Sequence, residues 1–190
     1  MAQGPLSDQE IVAAAAAGEE AAFAALVRAH ADAVYGHALR FFGNPQTAED
    51  ATQEVFIKVF RTIASFDGRS KLSTWLYRVT RNVCLDLVRA GKRTPSPVDP
   101  VTLEPLSTVD FADDVVFGRA LEQAVGTLAP EDRDAFNAVT LFGLSYAEAA
   151  EALGVPAGTV KSRVFRARRA LASLLLAPEE GESGGLHASL

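Results

Sequence analysis

The sequence predicts an all-α protein with two small helical domains joined by a flexible linker. Apolar residues recur at spacings of three and four along most of the chain, and the strict alternation typical of strands is nearly absent. Prolines then interrupt this pattern over residues 93–113, among serine, threonine and aspartate. We therefore expect domains over residues 1–92 and 114–177. The Gly- and Glu-rich tail, 178–190, is predicted to be disordered.

Two helices open the first domain. Ser7 and Glu10 stand three residues apart, as in a capping box, and Gly18 is expected to end the first helix. The second helix is predicted over about residues 19–42, because its apolar residues form one stripe. Gly43 follows that stripe and should terminate the helix.

Two further helices complete the first domain. Asn44 and Pro45 predict the start of a third helix, which extends to about residue 65. Residues 66–70 are predicted to form a turn because they contain Asp67-Gly68. The apolar side of the fourth helix is predicted to consist of Leu72, Trp75, Leu76, Val79, Val83 and Leu87.

The second domain contains a predicted helix-turn-helix. Ser145 and Glu148 can form another capping box, Gly154 ends that helix, and Pro156 starts the next one almost at once. Helices joined by so short a turn must cross steeply, as in the helix-turn-helix arrangement. The helices of this domain are predicted near residues 113–126, 130–142, 145–153 and 156–176.

The last of these helices carries a cationic face. Val160, Val164, Ala167 and Leu171 recur on one side, which we expect to be buried. No acidic residue occurs between Glu151 and Glu179, although the chain has a net charge of −6. A concentration of cations on one element of an acidic protein indicates contact with DNA. The residues predicted to contact DNA are Thr159, Lys161, Ser162, Arg163, Phe165, Arg166 and Arg169.

Composition argues against several other functions. The net charge of −6 argues against a protein that coats DNA on its own, so any DNA contact is expected to come from local basic patches or with the help of a partner. Cys84 is the single cysteine, and no motif surrounds His30, His37 or His187 with metal ligands or a nucleophile. We therefore expect no enzyme activity, no metal and no cofactor, and the histidines are expected to be satisfied surface or core residues.

The beginning of the sequence predicts a cytoplasmic protein that does not insert into a membrane. The segment MAQGPLSDQE has no basic region of the kind that precedes a signal sequence. The alanine run at residues 13–17 is too short to span a bilayer.

Four motifs, taken in order, resemble the sigma factors of bacterial RNA polymerase, of the extracytoplasmic-function type. They lie at residues 49–56 (EDATQEVF), 66–68 (FDG), 74–78 (TWLYR) and 158–163 (GTVKSR). The resemblance implies an alternative sigma factor that binds core RNA polymerase and recognises the −10 and −35 promoter elements. It also implies that the DNA is opened for transcription initiation and that an anti-sigma factor regulates the protein.

The resemblance assigns roles to residues of the first domain. The clamp and the flap of the polymerase are the contacts that the resemblance implies. The third helix is expected to bind the clamp through Asp50, Gln53, Glu54 and Phe56. The resemblance also implies that the −10 element is bound by Phe66, Arg69, Lys71, Arg78, Arg81, Asn82 and Arg89, with Lys92 and Arg93 nearby.

Three points stay open on the sequence. Trp75 lies on the apolar stripe and is expected in the core, whereas Tyr77 is either a core residue or a platform for a base. Lys161 stands where the family more often has arginine, which can bind a base through two parallel hydrogen bonds. A conventional regulator, in which residues 1–90 sense a ligand and the helix-turn-helix binds an operator as a dimer, would explain the second domain equally well. It would not explain the cluster at residues 50–56 or the basic helix of the first domain.

Overall fold

A computed structural model describes residues 8–91, 121 and 124–175, and every regular element in these ranges is helical. The all-α prediction is confirmed. Ser7, the linker at 93–113, most of the helix predicted near 113–126 and the tail lie outside the described residues. Lys92, Arg93 and His187 do so too. Within the described ranges, no helix is both long enough and apolar enough to cross a membrane.

The first unit, residues 8–91, has its helices where the sequence predicts them. They are α1 (Asp8–Ala16), α2 (Glu20–Phe42), α3 (Pro45–Thr62), a 3-10 turn (Ile63–Ser65) and α4 (Leu72–Arg89). Gly43 ends α2 with φ 67°, in the left-handed region that favours glycine. The Asn44 side chain caps α3 by accepting a hydrogen bond of 2.9 Å from the Thr47 amide.

The core of the first unit lies where α2, α3 and α4 meet. Val34, Val55 and Leu76 are fully buried there. A second cluster, which includes Phe42 and Cys84, extends the core toward the end of α4. Burial raises the pKa of the Cys84 thiol to about 12, so Cys84 is an inert core residue.

The second unit, residues 124–175, consists of a helical segment at 124–126 followed by three helices. These are α5 (Pro130–Thr140), α6 (Tyr146–Leu153) and α7 (Ala157–Leu175). α7 packs against both α5 and α6. Val160 and Val164 join the main core, while Ala167 and Leu171 pack with Val125. The buried side predicted for α7 is confirmed.

The two units pack against each other, which the sequence did not predict. One continuous core contains Leu76 of α4 together with Ala138 of α5 and Val160 of α7. Tyr77 is fully buried, and its hydroxyl donates a hydrogen bond of 3.0 Å to the Asp134 carbonyl oxygen. The question left open for Tyr77 is thereby answered: in this arrangement it is a core residue that joins the two units.

Polar and cation–π contacts border this shared core. The Arg40 guanidinium of α2 donates a buried hydrogen bond of 3.0 Å to the Asn137 side chain of α5 and lies 5.9 Å from the Phe136 ring. From the opposite side, Arg133 lies 5.5 Å from the centre of the Phe41 ring. Both arginines therefore cross the boundary between the units.

His37 lies at the centre of the same boundary. Its ring is fully buried, 5.6 Å from the Tyr77 ring and 6.1 Å from the Phe142 ring of the second unit. Within the described part of the chain, neither ring nitrogen has a hydrogen-bond partner. His37 is therefore a core residue, as expected, but the expectation that its polar atoms are satisfied is wrong, because aromatic rings lie against the imidazole.

Burial lowers the pKa of His37 to about 4. Asp134 opposes this shift, while Arg133, Arg81 and Arg40 reinforce it. The imidazole is therefore neutral in the packed protein at pH values where an exposed histidine is partly charged.

We expect acid to destabilise the packed arrangement through His37. Unfolding restores the ordinary pKa of 6.5, so the unfolded chain binds more protons than the folded one between pH 6.5 and pH 4. His37 thus lowers the free energy of unfolding as the pH falls through this window, by about 2 kcal/mol between pH 7.5 and pH 5. Urea titrations at both pH values measure the loss.

His37→Phe removes the titrating group and keeps an aromatic ring, so most of this acid sensitivity should disappear. His30→Gln is the control, since His30 is only partly buried. A His37→Phe variant that is as acid-sensitive as the parent would refute the assignment.

Candidate nucleic-acid interface

The second unit contains the predicted helix-turn-helix. The Ser145 hydroxyl accepts a hydrogen bond of 3.2 Å from the Glu148 amide, and the Glu148 carboxylate accepts one of 2.8 Å from the Ser145 amide. This is the predicted capping box. Gly154 ends α6 with φ 68°, and α7 begins three residues later at Ala157. α7 is thereby held across α6.

The outer face of α7 is exposed and cationic. Phe165 stands in the middle of it, with 66% of its surface exposed. Of the residues predicted to contact DNA, Thr159 and Arg163 are partly buried, and the remaining five are exposed: Lys161, Ser162, Phe165, Arg166 and Arg169. The structure thus places these five side chains together on one solvent-facing surface.

Arg166 on this face pairs with a carboxylate of another helix. Its Nε and Nη2 atoms donate hydrogen bonds of 3.0 Å and 2.5 Å to the two carboxylate oxygens of Asp132 in α5. These bonds raise the pKa of the guanidinium. Asp132 was missed in the sequence, where it reads as an acidic residue in the first turn of a helix.

The loop before α4 contains the first residues assigned to the −10 element. Phe66 packs edge-on against Trp75 with 5.6 Å between ring centres, so both rings are partly buried. Asp67 accepts from the Arg69 amide at 3.1 Å and pairs with its side chain. A shallow cavity of about 350 Å³ lies between this loop and the start of α1.

The basic side chains of α4 and its preceding loop are divided between solvent and the second unit. Lys71 pairs with Glu148 at 3.0 Å, Arg78 with Glu151 at 2.8 Å, and Arg81 with Asp134 at 2.7 Å. Asn82 and Arg89 are exposed instead, and Arg89 pairs with Asp86 of its own helix. Three of the predicted DNA contacts are therefore engaged by carboxylates of the second unit.

The carboxylates that bind these cations were also missed in the sequence. Glu148 was recognised only as a cap, and its pKa is lowered to about 2, first by the hydrogen bonds from Ser145 and then by Lys71. Asp134 and Glu151 belong to no motif that would have marked them in the sequence. The only signal for the contact is that acidic residues of α5 and α6 complement basic residues of α4, and charge alone does not select the pairs.

α3 presents the residues assigned to polymerase binding. Gln53 and Glu54 are exposed, while Asp50 and Phe56 are partly buried. Two apolar side chains that the sequence reasoning did not include lie on the same helix: Ile57 and Phe60, of which Phe60 is 60% exposed and packs edge-on against Phe23. Carboxylate, amide and apolar side chains are thus exposed along one helix whose other side is buried in the core.

Both units match family models. The first matches Sigma-70 region 2 over residues 26–94, and the second matches Sigma-70 region 4 over residues 118–171. The chain is 40% identical to the ECF RNA polymerase sigma factor SigE of Mycolicibacterium smegmatis. The match covers 84% of this chain and 65% of SigE. The chain is 37% identical to the ECF sigma factor SigM of Mycobacterium tuberculosis, over 89% of this chain and 85% of SigM.

Two solved structures are similar over most of the chain. CnrH, in complex with the cytosolic domain of CnrY, superposes with a TM-score of 0.67 and 28% identity, covering 90% of this chain and 97% of CnrH. The sigma factor RpoE of Bartonella quintana, in complex with the anti-sigma factor NepR, gives a TM-score of 0.62 and 26% identity. That match covers 82% of this chain and 97% of RpoE.

The Ser145 cap leads to a stability prediction. Ser145→Ala removes the hydroxyl that accepts from the Glu148 amide, and we expect the free energy of unfolding to fall by about 1 kcal/mol. Urea denaturation measures the change. Ser173→Ala is the control, because its exposed hydroxyl only donates to a carbonyl of its own helix. Equal effects of the two substitutions would contradict the capping role.

Proposed function

The chain belongs to the sigma-70 family of RNA polymerase sigma factors, in the extracytoplasmic-function group, and we propose that it directs core polymerase to a promoter and helps to open the DNA. It would act in the cytoplasm, without a catalytic step of its own. The single observation that carries this proposal is the presence of both units in order, with an exposed cationic α7 and an exposed polar and apolar α3.

α7 is proposed to bind the −35 element. Its exposed cations stand on a capped helix-turn-helix, and such a helix fits the major groove, where arginine and lysine reach base edges and phosphates. The exposed ring of Phe165 suits contact with a thymine methyl group. The protein as a whole carries a charge of −6, so this local positive surface is well matched to DNA although the rest of the chain is not.

The loop at residues 66–71 and α4 are proposed to bind the −10 element. Opening the duplex requires bases to be unstacked, which costs about a few kcal/mol per step and calls for a pocket and for cations along the strand. The cavity beside Phe66 and Arg69 supplies a concave surface, and Asn82 and Arg89 supply exposed polar groups on α4.

α3 is proposed to dock on the polymerase clamp. Gln53 and Glu54 offer exposed polar and acidic groups to a basic partner, and Phe60 adds apolar area that becomes buried on binding. Ile57 and Phe60 are added to the four residues that the sequence indicated.

The packed arrangement of the two units is proposed to be the resting state. Lys71, Arg78 and Arg81 are paired with carboxylates of the second unit and would have to exchange these partners for DNA phosphates. Polymerase would then separate the units and set them at the spacing of the two promoter elements, where simultaneous binding gives an avidity that neither has alone.

An anti-sigma factor is proposed to favour the resting state. The similar RpoE was solved in complex with the anti-sigma factor NepR, and CnrH with the cytosolic domain of CnrY. A protein that binds only the packed arrangement would lower the concentration of the polymerase-competent form.

A gel shift on promoter DNA, with and without core polymerase, tests the proposed function. We expect a stable, sequence-specific complex only when polymerase is present. A conventional regulator would instead bind its operator as a dimer without polymerase, so tight specific binding by the chain alone would refute the proposal.

Substitution of Arg166 should weaken −35 recognition. Arg166→Ala removes a donor that is worth about 1–3 kcal/mol of discrimination, so transcription from a −35-dependent promoter should fall about fivefold or more. Binding to core polymerase should not change. Arg28→Ala, which removes an exposed cation of α2, is the control. Parental transcription by Arg166→Ala would show that the recognition face is assigned wrongly.

Substitutions on α3 should weaken binding to core polymerase, which substitution of Arg166 should leave unchanged. Glu54→Ala and Phe56→Ala are each expected to weaken binding to core polymerase by about 1–2 kcal/mol, as truncation of contacts at an interface does. Affinity for core polymerase, measured by fluorescence anisotropy with labelled protein, reports the change. Glu20→Ala, an exposed carboxylate on α2, serves as control, and unchanged affinity in both α3 variants would exclude this docking surface.

A further inference from the structure

We propose that Asp132 is a positioning residue for DNA recognition, which holds the Arg166 guanidinium in the orientation that reads a base pair of the −35 element. The inference rests on the proposed function of α7 and adds to it a residue on a different helix. Asp132 itself would not touch DNA.

The ion pair with Asp132 leaves one edge of the Arg166 guanidinium available to hydrogen-bond a base. A guanidinium has two edges that can form paired hydrogen bonds, one through Nε and Nη2 and the other through Nη1 and Nη2. Asp132 binds the first edge through both of its oxygens. Nη1 takes no part in this pair, so the second edge can meet two acceptors of a base, such as O6 and N7 of guanine.

Burial indicates which partner is fixed and which one faces outward. The Asp132 side chain is 12% exposed, whereas the Arg166 side chain is 57% exposed. Asp132 lies in the first turn of α5, where the helix dipole favours a carboxylate. A nearly buried anion on one helix thus restrains a largely exposed cation on another.

Restraint of the arginine side chain increases discrimination between base pairs more than it increases the overall affinity for DNA. An arginine with free rotamers loses conformational entropy when it binds, and it can turn toward phosphates instead of a base. A carboxylate that fixes the fork removes part of that loss and disfavours the phosphate-bound rotamers, as supporting hydrogen bonds do in other binding sites. Its negative charge also opposes the nearby phosphates, which reduces the non-specific affinity for DNA.

These opposite effects separate a positioning role from a purely structural one. If Asp132 only braced α5 against α7, its loss would lower binding to every DNA sequence alike. If it positions Arg166, Asp132→Asn should lower selectivity at one base pair while affinity for non-specific DNA stays equal or rises. The salt dependence of that non-specific binding should become steeper by up to about one counterion.

The experiment uses holoenzyme assembled from the full chain and core polymerase. Its binding is measured on promoter duplexes that each carry one substituted base pair in the −35 element. Arg166→Ala identifies the base pair that the arginine reads, as the position where the variant no longer discriminates. We expect Asp132→Asn to reduce discrimination at this same position by about fivefold and to leave the other positions unchanged.

Further variants serve as controls. Glu131→Gln removes an exposed carboxylate one residue away, and it should alter salt dependence without changing the selectivity profile. The double variant Asp132→Asn with Arg166→Ala should lose no more selectivity than Arg166→Ala alone. Asp132→Ser, a residue well accepted in a first helical turn, repeats the test in case the asparagine variant folds poorly.

The outcomes distinguish failure of the inference from failure of the proposed function. If both Asp132 variants keep the base-pair selectivity of the parent while Arg166→Ala loses it, the positioning role alone is overturned. A uniform loss at all positions would also overturn it, in favour of a structural brace. A parental profile in Arg166→Ala would remove the assigned role of Arg166 and the inference with it.

Discussion

Asp134 holds the two units together through two different groups. Its carbonyl oxygen accepts from the buried Tyr77 hydroxyl, and its carboxylate accepts from Arg81, one helical turn further along α4. The Tyr77 bond is buried and that of Arg81 is partly buried, and both last only while α5 stays against α4. A buried hydroxyl is costly to leave without a partner. Tyr77 is also one of the aromatic rings that lie against His37.

When the two units are packed together, the proposed −10 surface is partly covered and the proposed −35 surface is exposed. Lys71, Arg78 and Arg81 pair with carboxylates of the second unit, whereas the outer face of α7 stays open to solvent. An acidic protein thereby uses carboxylates of one unit to cover the cations of the other. Exposed ion pairs such as that of Lys71 are individually weak, so DNA phosphates could replace them once the aromatic contacts have separated.

Two exposed apolar side chains of α3 lie outside the ion pairs that engage Lys71, Arg78 and Arg81. Ile57 and Phe60 lie three residues apart and are both exposed in the packed arrangement. Two large apolar side chains on the same helix face are typical of a surface that a partner covers. In the proposed function, polymerase can therefore bind α3 first while the units are still packed.

The sequence by itself determined the helices and most of the surfaces. Caps at Asn44 and Ser145, a glycine at position 43, and the apolar period of α7 act over a few residues, so local rules sufficed to place them. The polymerase and −10 assignments came from the family motifs, whereas the DNA contacts of α7 came from its cations and the helix-turn-helix pattern.

Only the tertiary structure decided how the two units meet. Tyr77 looked equally suited to core and to DNA, and its burial depends on Asp134, 57 residues away in the sequence. Asp132 and Arg166, 34 residues apart, are paired because α5 and α7 cross at that point. Such contacts depend on distances that periodicity does not encode: a local pattern fixes which side of a helix is apolar, but not which other helix covers it.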